Sequence, residues 1–338
     1  MTEMMRAAVM AGFGQPLHLV DVALPKPGQG QILIKLQASG VCHSDVHIWK
    51  GESLPDVAPD PFILGHEGVG VVAGVGLGVT GWQVGERAGA AWIHDTCGVC
   101  ELCVGGHESF CAAQRAHGFH VPGTFAEYVL AQADYAVKLP GGNAGALAPL
   151  MCAGLTAYGA LERAELQHGE TCAIFGCGGL GLYAVQLAAR RGARVVAVDS
   201  DPAKLDAAMR MGAAAAALAG PDLAANWAEA NRAQVSINFA PTTRTWQAMV
   251  AATKPLGRIV AAAMVADPVP LVQEWLTWSG VSITGTSVGS RAQMAELMAL
   301  HANTALQADV VEIGLEGVSD ALAALAEGRA KGRFCVVF

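Results

Sequence analysis

The sequence predicts an α/β protein of two domains, one mostly β and one built on a doubly wound parallel sheet. Three observations predict this. The 338 residues exceed one typical domain and suit two. The first half is made of short apolar or alternating runs between Gly/Pro-rich punctuation. After about Pro149 the texture changes, and strand-like runs alternate with helical spacing.

Taken in order, residues 31–37 and 68–75 read as strands of the first domain. Residues 171–176 form a continuous apolar run of buried-strand type, and 180–191 have helical spacing. Residues 194–198 form the next strand and 202–211 the next helix, with Asp201 placed to cap it and Pro202 favoured in its first turn. Strands at 235–239, 257–263 and 281–286 follow, separated by helical segments. Such alternation implies a parallel sheet covered on both faces. A helix at 291–301, an apolar strand and another helix come next, and the chain closes on a strand at 333–338. The alanine-rich patch 213–217 reads as a helix end and loop.

Composition limits the function. Hydrophobic residues make up 53% and charged residues 15%, with a formal net charge of -8. That allows a large core, and it disfavours nucleic acid or an anionic membrane as a partner. The start of the chain lacks the basic and long apolar regions of a signal peptide. Apolar stretches such as residues 69–79 are glycine-broken and far short of the roughly 20 residues needed to span a bilayer. The expectation is a cytoplasmic protein whose thiols are reduced and available for metal.

Cys97, Cys100, Cys103 and Cys111 follow the pattern C-x2-C-x2-C-x7-C. Short Cys spacings let thiolates converge on one tetrahedral ion, and four sulfurs leave no open position for substrate. Disulfides fit poorly without other signs of an oxidising compartment. An iron–sulfur cluster also uses four cysteines, but the bacterial run closes after three residues and is followed by proline, whereas Ala112 follows Cys111 here. Structural zinc fits this lobe, about residues 94–112, better than four unrelated thiols do.

Gly176, Gly178, Gly179, Leu180 and Gly181 lie in a G-x-G-x-x-G run between a predicted strand and a predicted helix. Alone the motif is weak in a chain with 41 glycines. In this context the glycines permit a tight turn and close approach of a pyrophosphate to a helix N-terminus, the signature of a Rossmann domain. Asp199 ends the next strand about 20 residues on, where a carboxylate accepts ribose hydroxyls and repels a 2′-phosphate. Ser200 follows where an NADP enzyme often has arginine, so NAD is favoured.

Cys42, His66 and Cys152 are scattered, and spacing alone does not group them. Their contexts are Cys42-His43-Ser44-Asp45-Val46-His47, Gly65-His66-Glu67-Gly68 and Leu150-Met151-Cys152-Ala153-Gly154. With the cysteine lobe, the glycine fingerprint and the segment Gly123-Thr124-Phe125-Ala126-Glu127-Tyr128, the chain resembles the zinc-dependent medium-chain alcohol dehydrogenases over essentially its whole length. The resemblance implies a GroES-like, mostly-β catalytic domain (1–150 and 288–338) with a Rossmann NAD-binding domain (151–287) inserted, and a cleft between them holding zinc, nicotinamide and substrate.

It also implies roles. Cys42, His66 and Cys152 would ligate a catalytic zinc and leave its fourth position open to water or substrate oxygen. Zinc lowers the pKa of bound water from about 15.7 to about 7, and an alcohol held as alkoxide gives hydride to NAD. Ser44 would pass the proton through the nicotinamide ribose to His47, Asp45 would orient His66, and Glu67 would bind zinc transiently or tune its field. His43 and Arg333 would contact the pyrophosphate, and Lys204 would join Asp199 at the adenosine ribose. Cys172, Cys177 and Cys335 are left as packing residues.

The polyol branch usually has a glutamate near the position of Cys152, so the resemblance is to alcohol dehydrogenases proper. Chain length and the short connection from Cys111 to Phe125 are similar to the microbial homotetrameric type, with a dimer the smaller option. Trp92 is expected to wall the alcohol pocket, with Trp49 nearby in sequence. Where ethanol-type relatives commonly carry tryptophan this chain has Ser53 or Leu54. The lost volume implies a pocket open to medium-chain, branched, aromatic or secondary alcohols. A zinc-independent enoyl reductase of the same superfamily would lack Cys42 and the lobe, and a non-catalytic zinc- and NAD-binding protein would tolerate loss of Ser44 or Cys152. All are present.

Overall fold

The computed structural model describes residues 3–338. The chain divides into two compact units: one runs to Leu155 and resumes at Ser290–Phe338, and the other is Thr156–Gly289. The expected divisions, at 150/151 and 287/288, lie five and two residues earlier.

The first unit is organised by one long strand, Gln31–Gly40, the centre of a seven-stranded sheet. Ile32, Ile34, Leu36 and Ala38 are buried, while Lys35 and Gln37 are exposed, so the period-2 alternation fixes which face meets the core. The strand pairs antiparallel with Gly68–Val75, Tyr128–Gln132 and Arg333–Val337. Two of these pairings position chemistry. Ser39 lies opposite Gly68, so Cys42, just past one strand, and His66, just before the other, emerge at the same end of the sheet. Gly40 lies opposite Cys335, which brings Arg333 to that end as well. Behind it, Val41, Val46, Ile48, Leu64, Phe125 and Leu322 form a core cluster.

Within that unit the cysteine lobe is tied down by a buried carboxylate. Glu108 accepts from the backbone N–H of Arg291 at 2.6 Å and from the Arg291 guanidinium at 2.9–3.1 Å. Arg291 begins the helix Arg291–Asn303, whose N-cap Ser290 forms a capping box with Gln293.

The second unit is an all-parallel sheet of six strands. Numbered within the unit by chain position, their spatial order is 3-2-1-4-5-6, the doubly wound order of dinucleotide-binding folds. Strand Thr171–Phe175 is buried throughout, as a central strand covered on both faces must be. It leads into the glycine loop and then helix Gly181–Arg190, one residue inside the expected span at each end. One expectation is corrected here. Residues 215–218 are not loop but an edge strand, Ala215 pairing with Val196 and Leu218 with Asp199. Alanine is a poor strand former by propensity, and the open sheet edge beside Val196–Asp199 overrides it.

No single helix among the described residues is long and apolar enough to cross a membrane. Helix Pro202–Arg210 starts as anticipated: Asp201 accepts from the Ala203 N–H at 2.9 Å, with Pro202 at the first position. Replacing Asp201 with alanine should lower unfolding free energy by about 1 kcal/mol. Urea denaturation checks this, through a lower midpoint with an unchanged slope.

Candidate active site

Asp45 is the polar centre of the first unit. Its side chain is fully buried and saturated from three directions. Oδ2 accepts from the Cys42 N–H at 2.8 Å, while Oδ1 accepts from the Gly65 N–H at 3.1 Å and bonds His66 Nδ1 at 3.0 Å. In the tautomer whose Nδ1–H donates to Oδ1, Nε2 is the ring nitrogen left free for a metal. That Nε2 is buried without a protein hydrogen-bond partner.

Around it stand Cys42, Cys152 and Glu67, all buried, with the four ligand atoms within 4.8 Å of one another. The Cys42 and Cys152 sulfurs are 3.9 Å apart. Two thiolates on one tetrahedral zinc, at about 2.3 Å each, sit roughly 3.8 Å apart. The donor set therefore fits zinc: two sulfurs at ligand spacing and an imidazole nitrogen with nothing else to bind. The bond to Cys152 draws the Cys42 thiol well below its ordinary value, burial opposing.

Glu67 turns its carboxylate onto Arg333, whose guanidinium meets both oxygens. Burial pushes the Glu67 carboxyl up to about 7, against the pull of Arg333. Room for this carboxylate comes from Gly40, where a Cβ would fall 1.9 Å from Glu67 Oε2.

Helix His43–Trp49 carries the other sequence-predicted groups. Ser44 is half-buried with its hydroxyl 3.8 Å from the Cys42 sulfur. His43 and His47 stand edge to face, 5.2 Å between centroids. Trp92 packs edge-on to His66 at 4.9 Å, stacks on Phe119 at 6.0 Å, and donates its indole N–H to Gln114. Trp49 packs on the same core cluster as Trp92 but differs in its N–H, which goes to the Gln15 carbonyl at 2.6 Å. Ser53 is half-buried in the loop after the helix, beside exposed Leu54. Three partners escaped sequence reasoning: Phe119 on Trp92, Arg333 on Glu67, and Glu52 on His47.

The lobe brings Cys97, Cys100, Cys103 and Cys111 together, with sulfur–sulfur distances of 3.5–3.9 Å around the cluster. These again match the roughly 3.8 Å edge of a zinc–thiolate tetrahedron.

In the second unit, Gly178 faces open space: a Cβ there would meet nothing within 4 Å, so a pyrophosphate has room against the backbone. Gly181 is required for packing instead, since its Cβ would lie 1.8 Å from the Gly176 carbonyl. Asp199 Oδ2 accepts from the Cys177 N–H at 2.7 Å and Oδ1 from the Asp201 N–H at 3.0 Å. The glycine loop and the Asp199 carboxylate are thus locked together. Gly176 is buried, Gly179 and Leu180 are half-buried, and Lys204 is exposed on the first turn of helix Pro202–Arg210.

The chain is similar to known proteins over nearly its whole length. Residues 28–141 match the alcohol dehydrogenase GroES-like domain and residues 179–303 the zinc-binding dehydrogenase domain. An alcohol dehydrogenase from a Moraxella species is 36% identical over 335 residues, covering 98% of this chain and 99% of its own. Acetophenone reductase from Geotrichum candidum in complex with NAD superposes with TM-score 0.89 at 29% identity, covering 100% of this chain and 98% of its own. A cobalt- and zinc-bound thermostable alcohol dehydrogenase from Pyrobaculum aerophilum gives 0.89 at 28%, covering 99% of this chain and all of its own.

Asp45→Ala should leave His66 free to rotate and weaken metal retention by about 10- to 100-fold. Metal content after dialysis against graded chelator checks this, with the lobe metal as internal reference.

Proposed function

We propose, for a chain that belongs to the zinc-dependent medium-chain alcohol dehydrogenases, that Cys42, His66 and Cys152 hold the zinc at which an alcohol reacts. Cys97, Cys100, Cys103 and Cys111 hold a second zinc that only builds the lobe. The protein is an NAD-dependent alcohol oxidoreductase, interconverting an alcohol with its aldehyde or ketone. The observation that carries the assignment of the ligands is His66 Nε2, a buried lone pair aimed among thiols at ligand spacing.

When bound, zinc supplies a Lewis acid for the substrate oxygen and NAD supplies the hydride acceptor. The chain's own residues do the rest. Asp45 accepts the Nδ1–H of His66 and so holds the tautomer in which Nε2 can bind the metal. Ser44, beside the Cys42 sulfur, accepts the hydroxyl proton of the alcohol as it gives its own proton onward towards His47. His47 lies three residues on along the same helix, hence on the same face, and releases that proton towards solvent. Glu67, held by Arg333, tunes the field at the ligands. His43 and Arg333 serve the pyrophosphate, and Asp199 and Lys204 the adenosine ribose.

Trp92 walls the alcohol pocket, supported by its ring against His66. Trp49 lends at most its outer edge, because its indole N–H is committed to Gln15. With Ser53 or Leu54 about where ethanol-type relatives commonly carry tryptophan, the pocket accepts medium-chain, aromatic and secondary alcohols. A homotetramer is supported by chain length and by the open edge strand Ser282–Gly285, near which Trp278 is 83% exposed.

Purified protein should contain two zinc ions per chain and form NADH from alcohols. Stripping the reactive-site zinc should abolish turnover and returning it should restore activity; full activity in verified metal-free protein would sink the ligand assignment. Across ethanol, hexanol, benzyl alcohol, 2-butanol and cyclohexanol, kcat/KM should favour the bulkier members. A clear preference for ethanol would show that neighbouring loops refill the space beside Ser53.

A further inference from the structure

His47 does not stand alone. Its Nδ1 lies 2.6 Å from Glu52 Oε2. The contact is built by the chain's path after helix His43–Trp49. Lys50 closes the helix, and Gly51 takes a positive φ of 76° that a side chain would resist. The backbone then folds back, so that the N–H groups of Glu52 and Ser53 donate to the His47 carbonyl at 2.9 and 3.3 Å. The turn is covered by the ring of Phe13, which a Cβ on Gly51 would meet at 3.1 Å. Two backbone bonds thus hold the Glu52 backbone beside His47, within reach of the imidazole.

We propose that Glu52 is a positioning residue for proton release: it accepts the Nδ1 proton of His47, fixes that tautomer, and leaves Nε2 as the nitrogen that receives the proton in alcohol oxidation. The proposal rests on the relay assigned to His47 above. The balance of the step is simple. In oxidation Nε2 takes up one proton, and the resulting imidazolium stays paired with the carboxylate while it persists. A proton then leaves from Nε2 to water, restoring the Nδ1–H form. Reduction of an aldehyde or ketone runs the same path backwards, with water supplying the proton. Only protons move, and the carboxylate is never consumed.

The surroundings suit this role. The His47 side chain is 23% exposed and that of Glu52 51%, so the dyad sits where a half-buried helix face meets solvent. The titratable groups facing it are His43, at 5.2 Å between rings, and Lys50, which with His47 acts on Glu52. The bond to His47 holds the Glu52 carboxyl below the usual carboxylate range, so it is a charged acceptor throughout the neutral region. An imidazole without such an acceptor favours the proton on Nε2, which is the wrong form for taking one up there.

The experiment combines histidine 15N NMR with steady-state kinetics on the zinc-loaded protein carrying Glu52→Ala, Glu52→Gln, His47→Gln and the double change His47→Gln/Glu52→Ala. Loss of the His47→Gln signal assigns the ring. Neutral His47 should be Nδ1–H in the parent and in Glu52→Gln, whose amide oxygen still accepts, and Nε2–H in Glu52→Ala. Glu52→Ala should lower kcat for oxidation by about tenfold with alcohol and NAD KM values within twofold, and Glu52→Gln should retain most of the rate. In the His47→Gln background the loss of Glu52 should cost nothing more, because the two act as one unit. An unchanged tautomer and kcat in Glu52→Ala, or the same loss with and without His47, overturns the proposal. An undiminished kcat in His47→Gln alone overturns the relay assignment, and the proposal with it.

Discussion

Everything at the buried cysteine–histidine end of the first unit hangs on the carboxylate of Asp45. It is wholly buried, so its charge is tolerable only because three donors point at it. Two of those donors are backbone N–H groups on different segments, one at Cys42 and one at Gly65. The same two oxygens therefore fix where the first thiolate and the imidazole stand relative to each other, and which nitrogen of the imidazole is bare. The antiparallel register of Gln31–Gly40 with Gly68–Val75 delivers the two segments to one place, and Asp45 locks them there. Removing the carboxylate would leave two buried backbone donors and a ring N–H unsatisfied together.

Charge explains why such a site wants a cation. Cys42, Cys152, Asp45 and Glu67 are four acidic groups buried together, with Arg333 paired to Glu67, so ionising both thiols there calls for a further positive charge. Burying uncompensated charge of that sign is costly, and a divalent ion with two thiolate bonds is the natural offset. Gly40 shows how tightly the arrangement is drawn: the absence of one Cβ makes space for the Glu67 carboxylate. Glu67 and Arg333, 266 residues apart, meet because the final strand pairs beside the long central one.

The parts of this molecule that were legible in the sequence are those whose information is local. The cysteine lobe has its spacing, the glycine loop its strand and helix on either side, and Asp201 its proline. Cys42, His66 and Cys152 became a group only through the motifs around them, since nothing in their separation brings them together. Glu52 was illegible for a physical reason: a glutamate five residues past a histidine faces it only if the helix ends between them, and that end depends on Gly51 and on the cover of Phe13. Trp49 and Trp92 look alike as sequence, but only the tertiary fold sets one ring against His66 and sends the other N–H to Gln15. The strand at Ala215–Leu218 was hidden because alanine carries no strand signal, and its state is set by the neighbouring edge.

The nine cysteines make the same point through chemistry. Cys172, Cys177 and Cys335 are completely buried, and burial pushes each thiol up to about 12. They are small apolar side chains in all but name, inert towards metal and oxidant. Cys177 even sits inside the glycine fingerprint, yet its sulfur turns inward to the Val198 carbonyl while its backbone N–H serves Asp199. Cys42 is just as deeply placed, but other polar ligands share its pocket, and its thiol moves the opposite way. Depth alone therefore does not decide what a cysteine does here. The deciding factor is whether the fold brings a second donor within reach, because a thiolate and its neighbours can then share one ion rather than each bearing the full cost of its own burial.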